Sequence, residues 1–263
     1  MTFPVYIPIG PWRIHPHLFF ESLSYFVGFR VYLALRRRAG DTVIVPDRWA
    51  TLSCAAAGAA LGARLLAWLA NPQATYDLNS VLLGGKTIVG GLIGGLVGVE
   101  LVKLAMGIRR STGDLYAPAL AVAIAVGRVG CLLTGIADDT SGTPTSLPWG
   151  MDLGDGIQRH PTQLYEIVVL AAMVVPLWRL ARRTMAVAAV TDGQDHPGTG
   201  GVLREGDAFK AFMVAYMLLR IVVDFVKPYP AVFLGLGVLQ WAAVVTIAYY
   251  ARDIWRWTHR APP

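Results

Sequence analysis

The sequence predicts an all-α integral membrane protein of about seven transmembrane helices, with its N-terminus outside and its C-terminus cytoplasmic. Three observations carry that prediction. Of 263 residues, 55% are hydrophobic and only 15% charged, whereas soluble domains carry about a quarter charged residues. The apolar residues fall in blocks of the roughly 20 residues that a helix needs to cross a hydrocarbon core. The basic residues that give a net charge of +6 sit in short connectors between those blocks. That placement fits the cytoplasmic flanks of membrane helices better than a nucleic-acid surface.

Seven candidate spans follow in order, at about 17–35, 48–70, 81–107, 116–136, 162–180, 207–226 and 231–250. The N-terminal stretch MTFPVYIPIGPWRIHPH lacks the basic start and small-residue cleavage site of a signal peptide, so the first span is expected to be retained. The third span contains GGKTIVGGLIGGLVG, which suits close helix packing or a locally broken element, with Lys86 near its start protein-buried or interfacial. Arg36, Arg37, Arg38 and Arg48 flank the first connector, and Arg109 and Arg110 lie in the third. Arg179, Arg182, Arg183 and Arg204 flank the fifth, and Arg252, Arg256 and Arg260 lie in the tail. The even-numbered connectors hold few basic residues, which sets the orientation. Residues 1–263 read as one polytopic domain without internal repeats, 137–161 as an outer-face loop and 184–205 as a flexible cytoplasmic loop. The two cysteines, Cys54 and Cys131, have no ligand-like spacing, so neither a disulfide framework nor a metal site is expected.

Ionisable residues inside spans are costly and mark bundle interiors or wet cavities. Glu21, Arg30, Arg64, Lys86, Glu100, Lys103, Arg128, Glu166, Arg220 and Asp224 are all of this kind. Lys103 reads as an interface anchor, and Arg64 either snorkels outward or faces inward. Arg220 and Asp224 share a helix face at i, i+4, with Tyr216 one turn earlier. They form either a neutralised structural pair or an arginine held toward an anionic ligand. The run GRVGC places Arg128 in the outer half of span four, and RHPTQLYE opens span five with His160, Gln163 and Glu166 at the same level. Two arginines at outer-leaflet depth suggest an anionic lipid headgroup, because guanidinium grips phosphate through two parallel hydrogen bonds.

These segments resemble the prolipoprotein diacylglyceryl transferases. IGPWRIH at 9–15, LGARLL at 61–66, GGLIGG at 90–95, DLYAPALAVAIAVGRVGC at 114–131, RHPTQLYE at 159–166 and AYMLLRIVVDF at 215–225 occur in family order. The resemblance implies a seven-span enzyme of the bacterial plasma membrane, without a cofactor. Such an enzyme moves the diacylglyceryl group of phosphatidylglycerol to the lipobox cysteine of secreted precursor proteins and releases glycerol phosphate. By position it implies catalytic roles for Arg128, Arg220, His160 and Glu166, and substrate-binding roles for Tyr216, Asp224, Arg64, Gln163 and His15. The chain also departs from the family. A histidine proposed as the base is replaced by Val89, and the asparagines and glutamate after the arginine motif by Cys131, Thr134 and Ile136. His17, His160, Glu21 or the pair Asp138 and Asp139 are candidates to replace the base. Cys131 beside Arg128 is a candidate nucleophile, set against a plain small apolar residue in a helix. The departures leave open a non-catalytic paralogue that binds anionic phospholipid or a membrane partner, and a transporter.

Overall fold

The computed structural model describes residues 2–39, 45–71, 85–108, 110–190 and 203–259. A small ribbon, β1 (Ile7–Ile9) with β2 (Trp12–Ile14), leads into a helical bundle. The helices are α1 (Pro16–Ala39), α2 (Val45–Ala70), α3 (Ile88–Met106), α4 (Tyr116–Thr134), α5 (Thr162–Val190), α6 (Asp207–Asp224), α7 (Val238–Tyr249) and α8 (Ala251–His259). Five of them, α1 to α5, are long and apolar enough to cross a membrane. Their outer faces carry exposed Tyr25, Phe26, Phe29, Leu61, Leu65, Leu101 and Leu104, a surface suited to lipid rather than water.

The glycine run of the third expected span is a packing seam within a continuous helix. A Cβ at Gly58 or Gly62 of α2 would strike the carbonyls of Gly94 or Gly90 on α3, and one at Gly98 would strike that of Cys54. The backbones therefore touch over three helical turns, which only glycine permits. The helix starts at Ile88, later than expected, because the Thr87 hydroxyl caps it by accepting from the Gly90 N–H at 3.2 Å. Residues 72–84, the earlier part of that expected span, lie outside the described residues. Lys86 precedes the helix and is exposed, paired with Glu21 at 3.4 Å. Lys103 is buried, and its ammonium pairs at 3.0 Å with Glu100, whose side chain is exposed.

Two other boundaries differ from expectation. Helix α5 runs to Val190, making the first part of the expected 184–205 loop helical; 191–202 lie outside the described residues. The last expected span is a helix of only 12 residues, because 232–236 close a tight turn before it. Residues 137–161 are ordered by a 3₁₀ turn at Gly135–Asp138 and a ribbon of β3 (Met151–Asp152) and β4 (Gln158–Arg159).

Helices α4 and α6 run in the same direction through the core, with α1 and α5 packed against α4. At their N-terminal ends, the buried Asp114 accepts from the backbone N–H groups of Gly206, Ala208 and Phe209 at 2.8–3.3 Å, capping α6. Asp207 pairs there with Arg256, which also meets Asp253; Lys210 reaches Asp253 at 2.8 Å. At the other end of α4, Gly130 lets the start of α1 approach: a Cβ there would lie 2.8 Å from the Cβ of Phe20 and 3.3 Å from the Cα of His17.

Candidate active site

Glu166 organises the site. It lies in the first turns of α5, fully buried, and its carboxylate accepts from three cations on other elements. Arg128 of α4 donates from Nε at 2.8 Å, Arg220 of α6 from Nη1 at 2.9 Å, and Lys227 from Nζ at 3.1 Å. Arg220 also donates from Nη2 to Asp224 at 2.6 Å. All five side chains are less than a tenth exposed. Removing so much charge from water is expensive unless each group is paired, which these are. Three cations against two carboxylates leave one formal positive charge.

Several buried polar atoms at this cluster have no protein partner among the described residues. They are Nε of Arg220, the hydroxyl of Tyr216, Oε1 of Gln163 and Oδ2 of Asp224. Buried polar groups are almost always hydrogen-bonded, so a concentration of unpartnered atoms beside one ion network marks a place for a polar ligand. Tyr216 stacks on Phe212 at 6.0 Å, which fixes its hydroxyl beside Arg128 and Glu166.

A second polar group adjoins the first. The Arg128 guanidinium reaches the Cys131 thiol at 3.8 Å, one turn further along α4. Cys131, His17 of α1 and Asp138 of the 3₁₀ turn place their sulfur, ring nitrogen and carboxylate oxygen within 4.8 Å of one another. His17 Nδ1 lies 2.9 Å from Asp138 Oδ1, and the Thr140 hydroxyl donates to Oδ2 at 2.5 Å. Gln163 Nε2 donates in turn to the Thr140 hydroxyl at 3.1 Å. The two groups thus form one seam along α4, α5 and the turn.

Of the residues expected from sequence, Arg128, Glu166, Arg220, Asp224, Tyr216 and Gln163 meet in this seam. Three do not. His160 is held by backbone pairing with Gly142 and Thr143, and its ring contacts the Tyr165 hydroxyl at 3.2 Å; no hydrogen bond among the described residues joins it to Glu166 or the arginines. His15 sits edge-on to Tyr6 at 5.8 Å, beside the N-terminal ribbon. Arg64 is half-buried on α2, without an ion pair to another described residue. Lys227 was missed: it follows α6 and reads as a flanking charge, but the chain folds back through a Lys227 N–H bond to the Asp224 carbonyl. Val89, at the position of the proposed family base, is packed in the apolar core and brings no proton acceptor.

Residues 4–256 match the family profile described as prolipoprotein diacylglyceryl transferase. A protein of Bordetella parapertussis named phosphatidylglycerol–prolipoprotein diacylglyceryl transferase is 30% identical over 98% of this chain and 96% of its own length. Proteins of the same name from Cupriavidus pinatubonensis (30% identical, 91% of each chain) and Methylibium petroleiphilum (29% identical, 98% of this chain and 96% of the relative) align equally broadly. With nearly its whole length covered, from the N-terminal ribbon to α8, the chain belongs to the prolipoprotein diacylglyceryl transferase family.

Proposed function

We infer that this chain is an enzyme that transfers the diacylglyceryl group of phosphatidylglycerol to the cysteine thiol of a prolipoprotein, as the names of its relatives state for them. The observation that carries the reading is the Glu166 cluster, with one net positive charge and unpartnered atoms of both kinds. A phosphatidylglycerol headgroup carries one phosphodiester charge and a glycerol diol. Its phosphate accepts from the free donors, Nε of Arg220 and the Tyr216 hydroxyl. Its hydroxyls donate to the free acceptors, Oε1 of Gln163 and Oδ2 of Asp224.

In the reaction a thiolate attacks the glyceryl methylene carbon that bears the phosphate. The carbon–oxygen bond breaks, its electron pair stays on oxygen, and glycerol phosphate leaves with an added negative charge. Arg128 and Arg220 are held by Glu166 before the reaction, so their charge meets that developing charge without reorganisation. Asp224 and Lys227 complete the fixed frame.

The same reading places the protein as a multi-pass component of the bacterial inner membrane. Seven crossings result if α6 and α7 span beside the five longer helices. The buried charges of α6 suit a helix solvated by its neighbours rather than by lipid. The basic residues of the odd connectors support an N-terminus outside, which puts the Glu166 cluster at the outer leaflet and the Asp114 network at the cytoplasmic end. A single assay tests the chemistry: purified protein, phosphatidylglycerol labelled in its headgroup glycerol, and a lipobox peptide. Peptide-dependent release of labelled glycerol phosphate is expected, with none for the Cys→Ser peptide. Retained lipid binding without release would make the chain a binding protein instead.

A further inference from the structure

The functional reading leaves one requirement unmet, the generation of a thiolate. Thiols are weak nucleophiles until deprotonated, and the residue at the proposed base position, Val89, is buried hydrocarbon. Beside the phosphate-holding arginines, the structure instead assembles His17, Cys131 and Asp138. These residues are 114 and 7 apart along the chain, so no local motif brings them together.

We propose that His17, Cys131 and Asp138 form a metal site of the zinc type, and that its open fourth position takes the acceptor thiol as thiolate. The proposal rests on the transferase reading for the identity of the thiol. The donor set is that of a catalytic zinc centre, three protein ligands of nitrogen, sulfur and oxygen with one position left for substrate. One thiolate and one carboxylate neutralise a divalent cation, so the loaded site adds no charge to the neighbouring cluster. The donor atoms lie within 4.8 Å of one another, and a cation with bonds of about 2.0–2.3 Å sets them roughly 3.3–3.8 Å apart, so the longest separation closes while the His17–Asp138 contact at 2.9 Å opens to admit the ion. His17 is 45% exposed in its side chain and free to make that shift.

The surroundings are also those of a metal site, where outer partners orient the ligands. The Thr140 hydroxyl donates to the Asp138 oxygen not facing His17, and is itself fixed by Gln163. The second ring nitrogen of His17, Nε2, lies 3.8 Å from the Glu21 carboxylate, beyond hydrogen-bond distance but on the side away from Asp138. With the cation bound, the acceptor thiol loses its proton to solvent on coordination, since a bound thiol is deprotonated outright. Its sulfur then attacks the glyceryl carbon, forming the thioether as glycerol phosphate departs. The cation keeps its oxidation state throughout.

The test uses the full chain in detergent, stripped with a chelator and reloaded with Zn²⁺ or Co²⁺. One Zn²⁺ per chain is expected. Co²⁺ should give a sulfur-to-metal charge-transfer band that survives Cys54→Ser and disappears in Cys131→Ala. His17→Ala and Asp138→Asn should each lose the bound ion. Thr140→Ala, which alters no ligand, should weaken Zn²⁺ about 10–100-fold. Peptide-dependent glycerol phosphate release should stop on chelation and return with Zn²⁺. Failure to retain Zn²⁺ at micromolar concentration, or a Co²⁺ band indifferent to Cys131→Ala, overturns the site. Transfer indifferent to chelation overturns its role in catalysis. A chain with no transfer in either form sinks the transferase reading, while the Co²⁺ spectrum still decides the site.

Discussion

Helices α4 and α6 carry a buried ion network at each end, and the two are built on opposite terms. At the N-terminal ends, Asp114 spends its carboxylate on three backbone N–H groups, and Asp207, Arg256, Asp253 and Lys210 pair with one another. None of those side chains has a buried unpartnered atom among the described residues. About 20 Å further along the same helices, the Glu166 cluster keeps one net positive charge and leaves Arg220, Asp224, Tyr216 and Gln163 each with an unpartnered atom. Asp114, Asp207 and Arg256 are as deeply buried as the Glu166 cluster, so depth alone does not distinguish a site from a brace. The distinction lies in saturation: the closed network has used its hydrogen-bonding capacity on the protein, and the open one has not.

The open cluster depends most on Glu166. Glu166→Gln leaves three buried cations without their shared partner and is expected to cost about 3–5 kcal/mol of stability and to abolish transfer. Equal thermal stability of the variant in detergent would show that the cluster is wetter than its burial implies. Arg220→Ala comes next, with release of glycerol phosphate expected to fall on the order of 10²–10³-fold, the usual effect of removing one preorganised donor. Arg220→Lys should recover little, because the Glu166 and Asp224 contacts come from two arms of one planar group. Full activity in either variant contradicts the phosphate-holding assignment.

On the closed network the effects should divide the other way. Asp114→Ala removes the cap from α6 and is expected to cost about 1–3 kcal/mol, with turnover per folded molecule unchanged. A drop in turnover with unchanged melting would mean that the two ends communicate along α4 and α6.

Much of the open cluster was legible because charges inside apolar blocks stand out. Arg128, Arg220, Asp224 and Glu166 declare themselves by depth, and helical spacing puts Arg220 and Asp224 on one face. Lys227 was not legible, since it lies past the apolar block and only a turn at the end of α6 returns it to the interior. The His17, Cys131 and Asp138 group was equally hidden. It depends on the approach of α1 to α4 at Gly130, a tertiary fact that no spacing rule encodes. The placement of His160 is tertiary for a related reason: backbone pairing with residues 142–143 directs its ring to Tyr165. The glycine run of α3 was read correctly as a packing surface in one of its two alternatives. From Ile88 to Met106 the helix is continuous, while 85–87 before it are not helical.

That seam gives a smaller test, remote from both networks. Gly94→Ala places a methyl group against the Gly58 carbonyl and is expected to cost about 1–3 kcal/mol through overpacking. Transfer by the folded fraction should persist, because no site residue lies on the α2–α3 contact.

The smallest expected effect separates two carboxylates within the closed network. Burial raises the Asp114 carboxyl above its ordinary range despite its hydrogen bonds. For Asp253, burial acts in the same direction, but hydrogen bonds from Lys210 and Arg256 outweigh it and hold the group low. The Asp253 contribution to stability is therefore complete above its unfolded value near 4 and lost as pH falls through the lower folded one. The Asp114 contribution has the opposite sign, present below the unfolded value and lost as pH rises through the folded one. Asp253→Asn should thus lower stability by about 0.5–1 kcal/mol at neutral pH and flatten the acid limb of the melting curve, leaving the Asp114 trend in place. Parallel melting curves for the two proteins from about pH 3 to 6 would show that Lys210 and Arg256 do not hold Asp253 in solution.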